Sequence, residues 1–390
     1  MLALLQAACG ARTGLEVSEG LTDAGPRDAS VRAVDAEAPR DAAPDGAPLD
    51  ADVLPPPERA FVEIRAGLGH TCARDEDGRV RCWGDNRHRQ LDRDGIREST
   101  VPVTIDVPPA VRLAAGQDQS CLIDEAGNLW CWGTIARETD SAPVDLSGTA
   151  RVLDVDIGSG SVCTSSEPFG AVTCNGPLGR ADGLRRTRID HRTQAMAAGS
   201  THACALVDGE VWCFGHNPEG ELGVPPFDLY PWEGDPVVVP SVHDATSVAP
   251  GFDHTCASLS DGRVACWGSN TRGQLGLDDF GMAIPPTRIP ELDGVERLEA
   301  GWSTTCAIRR GELWCWGDGA SGQLGTGLHY EPRPPERVNL RPPVRSVSVG
   351  VHHACAVDGD GRPWCWGWNG RGQLGDGTFE DRYYPAPVAL

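Results

Sequence analysis

The chain contains no lysine, so all 34 of its basic residues are arginines, set against 56 aspartates and glutamates. A formal net charge of −22 leaves no excess of positive charge for a phosphate backbone, and we therefore expect no nucleic-acid partner. Long apolar segments are also missing. No run reaches the roughly 18 residues that predict a membrane-spanning helix.

Sequence signatures of catalysis and of cofactor binding are missing as well. No Ser-His-Asp ordering, paired-carboxylate motif or phosphate-cradling loop stands out, so we expect neither an enzyme nor a cofactor. No Cys-x-x-Cys occurs among the 15 cysteines, and ligands nine to eleven residues apart on a hairpin leave a zinc site incomplete, so we expect no metal.

The chain is instead rich in a repeated pair of cysteines, which recurs seven times. Successive first cysteines lie 41 to 52 residues apart, a period typical of solenoids and propellers. Each unit holds an alternating apolar segment, the cysteine pair around a turn, and a later Pro-x-x-Val or Pro-x-x-Ile segment, which together predict several short strands. The pairs are Cys72 with Cys82, Cys121 with Cys131, Cys163 with Cys174, Cys204 with Cys213, Cys256 with Cys266, Cys306 with Cys315, and Cys355 with Cys365.

Turn geometry predicts that the two cysteines of each pair lie opposite each other in a hairpin. Cys204 and Cys213 centre on Asp208-Gly209, a strong two-residue turn signal. Pairs ten or eleven apart fit loops of three or four residues, so the turn length changes while the register does not. Directly opposed cysteines approach disulfide geometry, and we expect seven disulfides and an oxidising compartment. The alternative is that they are free thiols packed as small apolar side chains.

Tryptophans on both sides of the second cysteine favour a propeller. Trp130 and Trp132 flank Cys131, and because strand side chains alternate they point away from the sulfur. Both faces of such a strand need covering, as when small sheets stack around a ring.

Three motifs resemble the repeats of the regulator of chromosome condensation family. They are Ala-Gly-x-x-His-x-Cys-Ala (66–73 and 198–205), Asp-Gly-x-Val-x-Cys-Trp-Gly (77–84 and 261–268) and Gly-Gln-Leu-Gly (273–276, 322–325 and 372–375). The resemblance covers residues 61–390 and implies an all-β, seven-bladed β-propeller. The second and third units lack Gly-Gln-Leu-Gly, and Asn175 replaces a tryptophan, so we expect these blades to be thinner or less regular.

We expect three segments along the chain. Residues 1–9 end in Ala-Ala-Cys and look like the tail of a bacterial lipoprotein signal peptide, which makes Cys9 a candidate for lipidation. Residues 10–58 are rich in Ala, Asp and Pro and predict a disordered acidic linker. Residues 59–390 form the propeller, and pairing between Phe61–Ile64 and the C-terminal Pro-x-x-Val segment is predicted to close its ring.

Positions that differ between repeats are the candidates for binding. Aromatic or imidazole side chains follow the Ala-Gly or Trp-Gly motif in three successive units, and a longer loop in the fourth unit carries three more rings. Such aromatic clusters are typical of protein-binding hot spots, although the rings could also pack beneath loops. The predicted binding residues are Phe252, Trp302, Trp368, His352, Phe227, Tyr230 and Trp232. Four histidines two residues before a first cysteine (His70, His202, His254 and His353) are instead expected to be scaffold.

Two functions remain open at this point. The first is a lipid-anchored or secreted scaffold, expected to be monomeric, that binds a protein or cell-surface polymer through one face of the propeller. The alternative is guanine-nucleotide exchange on a small GTPase, which the family resemblance implies but which an acidic, disulfide-bonded chain does not favour.

Overall fold

A computed structural model gives the fold of the repeat region. It describes residues 56–134, 143–145, 150–159, 161–168, 170–175, 189, 191–226, 236–290, 292–327 and 333–390. Within these ranges the regular structure is entirely β-strand. The described part of the chain has no helix of the length and apolarity needed to cross a membrane.

Seven antiparallel sheets follow one another along the chain, and each is a blade built from consecutive strands. The seven-bladed propeller expected from the repeats is thus confirmed. Blades 1 to 3 contain β1 (Phe61–Ala66), β2 (His70–Asp75), β3 (Val80–Asp85) and β4 (Glu98–Thr104); β5 (Ala110–Ala115), β6 (Gln119–Asp124), β7 (Leu129–Gly133) and β8 (Val144–Asp145); and β9 (Val152–Ile157), β10 (Val162–Ser166) and β11 (Ala171–Asn175).

Blades 4 to 7 repeat the four-stranded plan. They contain β12 (Ala195–Ala198), β13 (His202–Val207), β14 (Glu210–Gly215) and β15 (Val237–Val238); β16 (Ala245–Pro250), β17 (His254–Leu259), β18 (Val264–Gly268) and β19 (Ile284–Arg288); β20 (Val295–Ala300), β21 (Thr304–Arg309), β22 (Glu312–Gly317) and β23 (Arg333–Arg337); and β24 (Val344–Val349), β25 (His353–Asp358), β26 (Pro363–Gly367) and β27 (Arg382–Pro387). In the described residues, blades 2 and 4 end in two-residue strands and blade 3 has three strands.

The second and third strands of every blade are joined by the cysteine pair. Each pair is directly opposed in the register of its hairpin, for example Cys204 with Cys213 and Cys163 with Cys174. All seven pairs are disulfides, with Cα atoms 4.0–4.1 Å apart. Turn length therefore varies between blades without moving the cysteines out of register.

Ring closure differs from the expectation. β1 pairs with β2 and β27 pairs with β26, so the two ends of the propeller do not pair with each other as strands. Blade 7 meets blade 1 through side-chain packing, with Phe61 and Trp83 buried against Leu374 and Val388, and through isolated main-chain bonds such as Phe61 N to Gly361 O at 2.9 Å. The Pro-x-x-Val segment could pair with either neighbour on pattern alone, and local hairpin pairing within one blade is what forms.

Adjacent blades are held together by the motif tryptophans. The sulfurs of one blade and the tryptophan of the next fall in one core cluster, as with Cys72, Cys82 and Trp132. Five such tryptophans are fully buried, and each indole N–H donates to a main-chain carbonyl of the preceding blade. The pairs are Trp83 with Gln373, Trp132 with Gln90, Trp267 with Glu221, Trp316 with Gln274, and Trp366 with Gln323, at 2.8–3.0 Å. The main-chain carbonyl of the glutamine in Gly-Gln-Leu-Gly, or of the residue at that position in blades 1 and 4, is thus the acceptor that joins one blade to the next.

The four repeat histidines are also links between blades. Each is fully buried, and its Nε2 lies 2.6–3.0 Å from a hydroxyl on the next blade: His70 to Ser120, His202 to Thr255, His254 to Thr305, and His353 to Thr71. Burial lowers the pKa of His70 to about 4, so its ring is neutral at pH 7. Their partners are hydroxyls on strands of the next blade, which gives these histidines a place in the scaffold.

A ring of seven glycines surrounds the propeller axis where the first strands end. A Cβ on any of them would lie within 3 Å of the carbonyl oxygen of the next glycine around the ring, so the close approach of the blades requires glycine. In order they are Gly67, Gly116, Gly158, Gly199, Gly251, Gly301 and Gly350, which returns to Gly67.

Candidate functional site

One end of the propeller, here called the mouth face, carries two sets of loops. The first set links the first and second strands of each blade beside the glycine ring, and the second set links the third and fourth strands. The two sets are bonded together, because the residue after each Trp-Gly donates its N–H to the first set; Asp318 N to Ser303 O (2.9 Å) and Trp368 N to His352 O (2.9 Å) are examples. Antiparallel strands therefore bring the predicted variable positions to a single surface.

The rings of Phe252 and Trp302 form a pair on this surface, here called the aromatic centre. Their rings are stacked with centroids 4.0 Å apart and planes inclined by 14°. The main chains of the two loops are also joined, since Phe252 N donates to Trp302 O at 3.2 Å, and Thr201 Oγ1 donates to Phe252 O at 3.0 Å. Both rings are partly exposed, so the pair is fixed in place while one side remains open to solvent.

Trp368 and His352 form a second ring pair on blade 7. Their centroids are 6.1 Å apart, and the planes meet edge to face at 84°. Packing by the surrounding loops lowers the pKa of His352 in spite of nearby Asp318, so its imidazole is neutral near pH 7. Blades 5, 6 and 7 thus each contribute an aromatic side chain to the mouth face.

The outer loops of the mouth face expose apolar side chains that sequence reasoning missed. Phe280 and Met282 on blade 5 are 53% and 63% exposed, Phe379 on blade 7 is 51% exposed, and Ile96 on blade 1 is 41% exposed. All four lie between the third and fourth strands of their blades. The signal was available, because an apolar residue recurs after Gly-Gln-Leu-Gly, but only exposure separates these residues from core side chains.

Buried asparagines hold these outer loops in shape. Asn270 Nδ2 donates to the carbonyls of Leu277 and Asp279, and Asn270 Oδ1 accepts from Leu275 N at 2.8 Å. Asn86, Asn217 and Asn369 make equivalent bonds in blades 1, 4 and 7. The exposed apolar residues are therefore presented on braced loops.

Acidic groups adjoin the aromatic centre. Burial acts against the charge of Asp253, but the imidazole of His254 and the amide of Gln274 (3.1 Å) lower its pKa, so it is ionised at pH 7. Glu219 lies near it, and burial together with Asp253 raises the pKa of Glu219. On the other side Asp318 is paired with Arg272 at 3.0 Å.

Glu221 is a buried carboxyl at a position that is glutamine in blades 1, 5, 6 and 7. It is 1% exposed, and its Oε2 accepts from Glu219 N at 2.9 Å. Oε1 lies 3.5 Å from His216 Nδ1. Burial is the main reason that the pKa of Glu221 is raised to about 8, so the side chain is mostly neutral at pH 7 and resembles the glutamine of the other blades.

Charged groups also line the propeller axis below the mouth. Arg65 on blade 1 reaches Glu299 on blade 6 at 3.2 Å and Glu63 at 2.9 Å, and its Nε donates to Leu113 O. Burial raises the pKa of Asp156 on blade 3 to about 7. Arg65 thus links blade 1 to blade 6, which is not its neighbour in the ring. These charged groups belong to the scaffold.

The opposite end, the turn face, consists of tight hairpin turns between second and third strands. The Asp358 carboxylate accepts from Asp360 N and Arg362 N, and Asp75 caps its turn in the same way. These aspartates are turn residues. Loops that expose large apolar side chains are thus on the mouth face, whereas toward the turn face such exposure is found at strand ends, at Val111, Leu153 and Leu390.

Three of the predicted binding residues, Phe227, Tyr230 and Trp232, lie outside the described residues, as does Cys9. No group of three His, Cys, Asp or Glu side chains within the described ranges is arranged to hold a metal ion.

Comparisons with known proteins agree with this architecture. Among curated relatives, the ultraviolet-B receptor UVR8 of Arabidopsis thaliana is 29% identical over 127 residues, which are 30% of this chain and 27% of UVR8, so the chain spans about a quarter of that relative. Among solved structures, Prp20p of Saccharomyces cerevisiae has a TM-score of 0.70 at 19% identity, covering 85% of this chain and 88% of that one. The CRINKLY WD40 ectodomain of the Arabidopsis thaliana receptor kinase ACR4 has a TM-score of 0.54 at 21% identity, covering 85% and 99%. The model of the RCC1-like domain matches residues 34–390. The chain therefore belongs to the RCC1-like domain family.

Proposed function

We propose that this protein is a non-catalytic interaction scaffold of the cell envelope or exterior, which binds a protein or cell-surface ligand through the mouth face. The observation that carries the proposal is the half-exposed Phe252–Trp302 stack. It is held by main-chain bonds between blades, and braced outer loops at the same end of the propeller expose further apolar side chains. Rigid aromatic anchors cost little conformational entropy on binding and dominate interface energetics.

The contrast between the two ends of the propeller supports the choice of face. The turn face is made of short turns closed by their own aspartates. The mouth face exposes Phe280 and Met282 in a loop of blade 5, which also carries Phe252, and Phe379 in a loop of blade 7, which also carries Trp368. Exposed apolar groups of this kind mark interaction sites more often than scattered single residues do.

The seven disulfides support the proposed location. Seven cross-strand pairs are typical of proteins that fold in an oxidising envelope or exterior and are rare in a reducing cytosol. The ectodomain of ACR4 shares the fold and is part of a receptor kinase. Lipidation of Cys9 would anchor the propeller to a membrane through an acidic linker. Guanine-nucleotide exchange has no observation specific to it here, because the likeness to Prp20p at 19% identity is one of fold.

A competition assay on cells tests the proposal. Fluorescently labelled full-length protein is added to producing cells that lack their own copy, and unlabelled variants compete for the sites. We expect saturable binding that the unlabelled protein displaces, whereas the double variant Phe252→Ser/Trp302→Ser fails to displace it at a hundredfold excess. The matched control is Asp360→Ser on the turn face.

Equal competition by the mouth-face variant and the control would refute the assignment of the face. Intact mass with and without reduction tests the location separately. The expected mass lacks fourteen hydrogens and carries an acyl modification at Cys9, whereas free thiols without lipid would contradict an envelope protein.

A further inference from the structure

The residues around the Phe252–Trp302 stack indicate which type of side chain a binding partner would place there. The stack presents a π-surface, and aromatic faces attract cations through their quadrupole. The residue after Phe252 is Asp253, an ionised carboxylate whose Oδ1 is held by Gln274 at 3.1 Å. The loop that carries the Phe252 ring therefore also carries a negative charge at the next residue.

Glu219 adds a second carboxylate on the same side. Its N–H is bonded to Glu221, and its Oε2 has no hydrogen-bond donor among the described residues. That oxygen is itself shielded from solvent, although the residue as a whole is half-buried, and a buried carboxylate oxygen without a donor is unfavourable. Asp253 and Glu219 are close enough to raise the pKa of Glu219.

Arginines of the chain itself do not occupy this position. The arginine–aromatic contacts among the described residues are Arg81 over Phe61 and Arg309 over Trp314. Arg272 on blade 5 is turned toward Asp318, to which it bonds at 3.0 Å. The π-surface and the two carboxylates on the blade 4–5 side are thus not neutralised by any described arginine.

We propose that the mouth face receives a basic side chain of a protein partner, an arginine or lysine that covers the Phe252–Trp302 stack and pairs with Glu219 and Asp253. The proposal rests on the proposed function and adds the chemistry of the partner. A chain with a net charge of −22 favours the approach of basic surfaces in general. The Phe252–Trp302 stack and the two carboxylates determine where one cation of such a surface binds.

Peptides selected on the protein provide the test. Random dodecapeptides displayed on phage are selected on the immobilised full-length, oxidised protein, and the strongest binders are synthesised with each Arg or Lys replaced in turn by citrulline or norleucine. Dissociation constants are measured for the wild type and for Trp302→Leu, Glu219→Gln and Asp360→Asn. The last removes one exposed carboxylate from the turn face and controls for net charge.

We expect one cationic position in each peptide whose replacement weakens binding about tenfold or more, as a cation–π contact with a charge-assisted bond implies. Trp302→Leu and Glu219→Gln should weaken the native peptide by a similar factor. They should leave the citrulline peptide nearly unchanged, because the interaction that they remove is already absent. Asp360→Asn should alter neither peptide by more than about twofold.

Two other outcomes separate the inference from the function on which it rests. If Trp302→Leu abolishes binding while citrulline or norleucine peptides bind as well as the originals, the mouth face binds by apolar contact and the cation proposal is overturned. If Trp302→Leu and Asp360→Asn behave alike with every selected peptide, both the cation site and the mouth-face function are overturned.

Discussion

Replacing Glu221 by glutamine should stabilise the protein, and increasingly so as the pH rises. In blades 1, 5, 6 and 7 the same position is glutamine, whose Oε1 accepts from the N–H two residues before it. Glu221 makes that bond through Oε2, and its main-chain oxygen accepts from Trp267 and Thr255. Glutamine therefore reproduces the neutral carboxyl in shape and in its known hydrogen bonds.

The size of the change in the free energy of unfolding follows from the pKa of Glu221. Burial raises the pKa of Glu221 to about 8 from an ordinary value of 4.5, with Asp253 and Glu219 adding to the rise. Between pH 4.5 and pH 8 the folded state holds a proton that the unfolded chain releases, so the free energy of unfolding falls as the pH increases. The full difference in the free energy of unfolding amounts to about 5 kcal/mol in the wild type, and Glu221→Gln should not show it.

Urea unfolding of the oxidised full-length protein at pH 5, 7 and 9, followed by tryptophan fluorescence, measures the effect. The two proteins should be within about 0.5 kcal/mol of each other at pH 5, with the variant more stable at pH 9. The reciprocal variant Gln274→Glu places a carboxyl in blade 5 and should acquire the same loss with rising pH. If Glu221→Gln instead destabilises the protein at pH 6–7, Glu221 is ionised and paired with His216, and the reasoning from burial is wrong.

Three further substitutions test the scaffold by urea unfolding. Trp316→Phe keeps the apolar ring but removes one of the two donors to the buried carbonyl of Gln274, which still accepts from Thr305 Oγ1 at 2.8 Å, so the free energy of unfolding should fall by about 0.5–1.5 kcal/mol; an unchanged value would mean that the indole bond between blades contributes little. Gly301→Ala places a methyl group against the Gly350 oxygen and should cost about 2 kcal/mol, and a neutral result would show that the glycine ring relaxes easily. Replacing Cys355 together with its partner by serine opens a loop of about ten residues, which the chain-entropy model values at about 2.5 kcal/mol; the fold should survive, because the blade remains packed on both faces.

The blades and their disulfides could be predicted from the sequence, because the pattern of cysteines and turn residues is local and repeats seven times. The spacing of Cys204 and Cys213 around Asp208-Gly209 sets the hairpin register without knowledge of the rest of the chain. Strand alternation likewise predicts that the motif tryptophans point away from the sulfurs, and Trp132 indeed packs toward the preceding blade.

Contacts between blades could not be predicted from the sequence. A Pro-x-x-Val segment reads the same whether it pairs within its blade or with the first strand of the ring, so β27 was assigned the wrong partner. The carbonyl of the Gly-Gln-Leu-Gly motif and the hydroxyl partners of the histidines also depend on how neighbouring blades stack. Position within the repeat did indicate that Phe252 and Trp302 share a surface, but the stack itself appears only once the blades are assembled.

At the candidate site, the exposure of Phe280, Met282 and Phe379 could likewise not be predicted from the sequence. Sequence reasoning did not single out these three loop residues. Their importance depends on exposure, which is decided by the bracing of the loop by Asn270 or Asn369. Apolar residues in such loops are candidates for binding only when the loop is held open by a buried side chain.

Site-specific photo-crosslinking in the producing cells is the measurement that addresses the central claim most directly. A benzoylphenylalanine replaces Trp302 on the mouth face in one strain and Asp360 on the turn face in another, and both strains are irradiated. Binding through the mouth face predicts a discrete crosslinked product from position 302 and none from position 360. A discrete product from position 360 together with none from position 302 would contradict the assignment of the mouth face as the interaction surface.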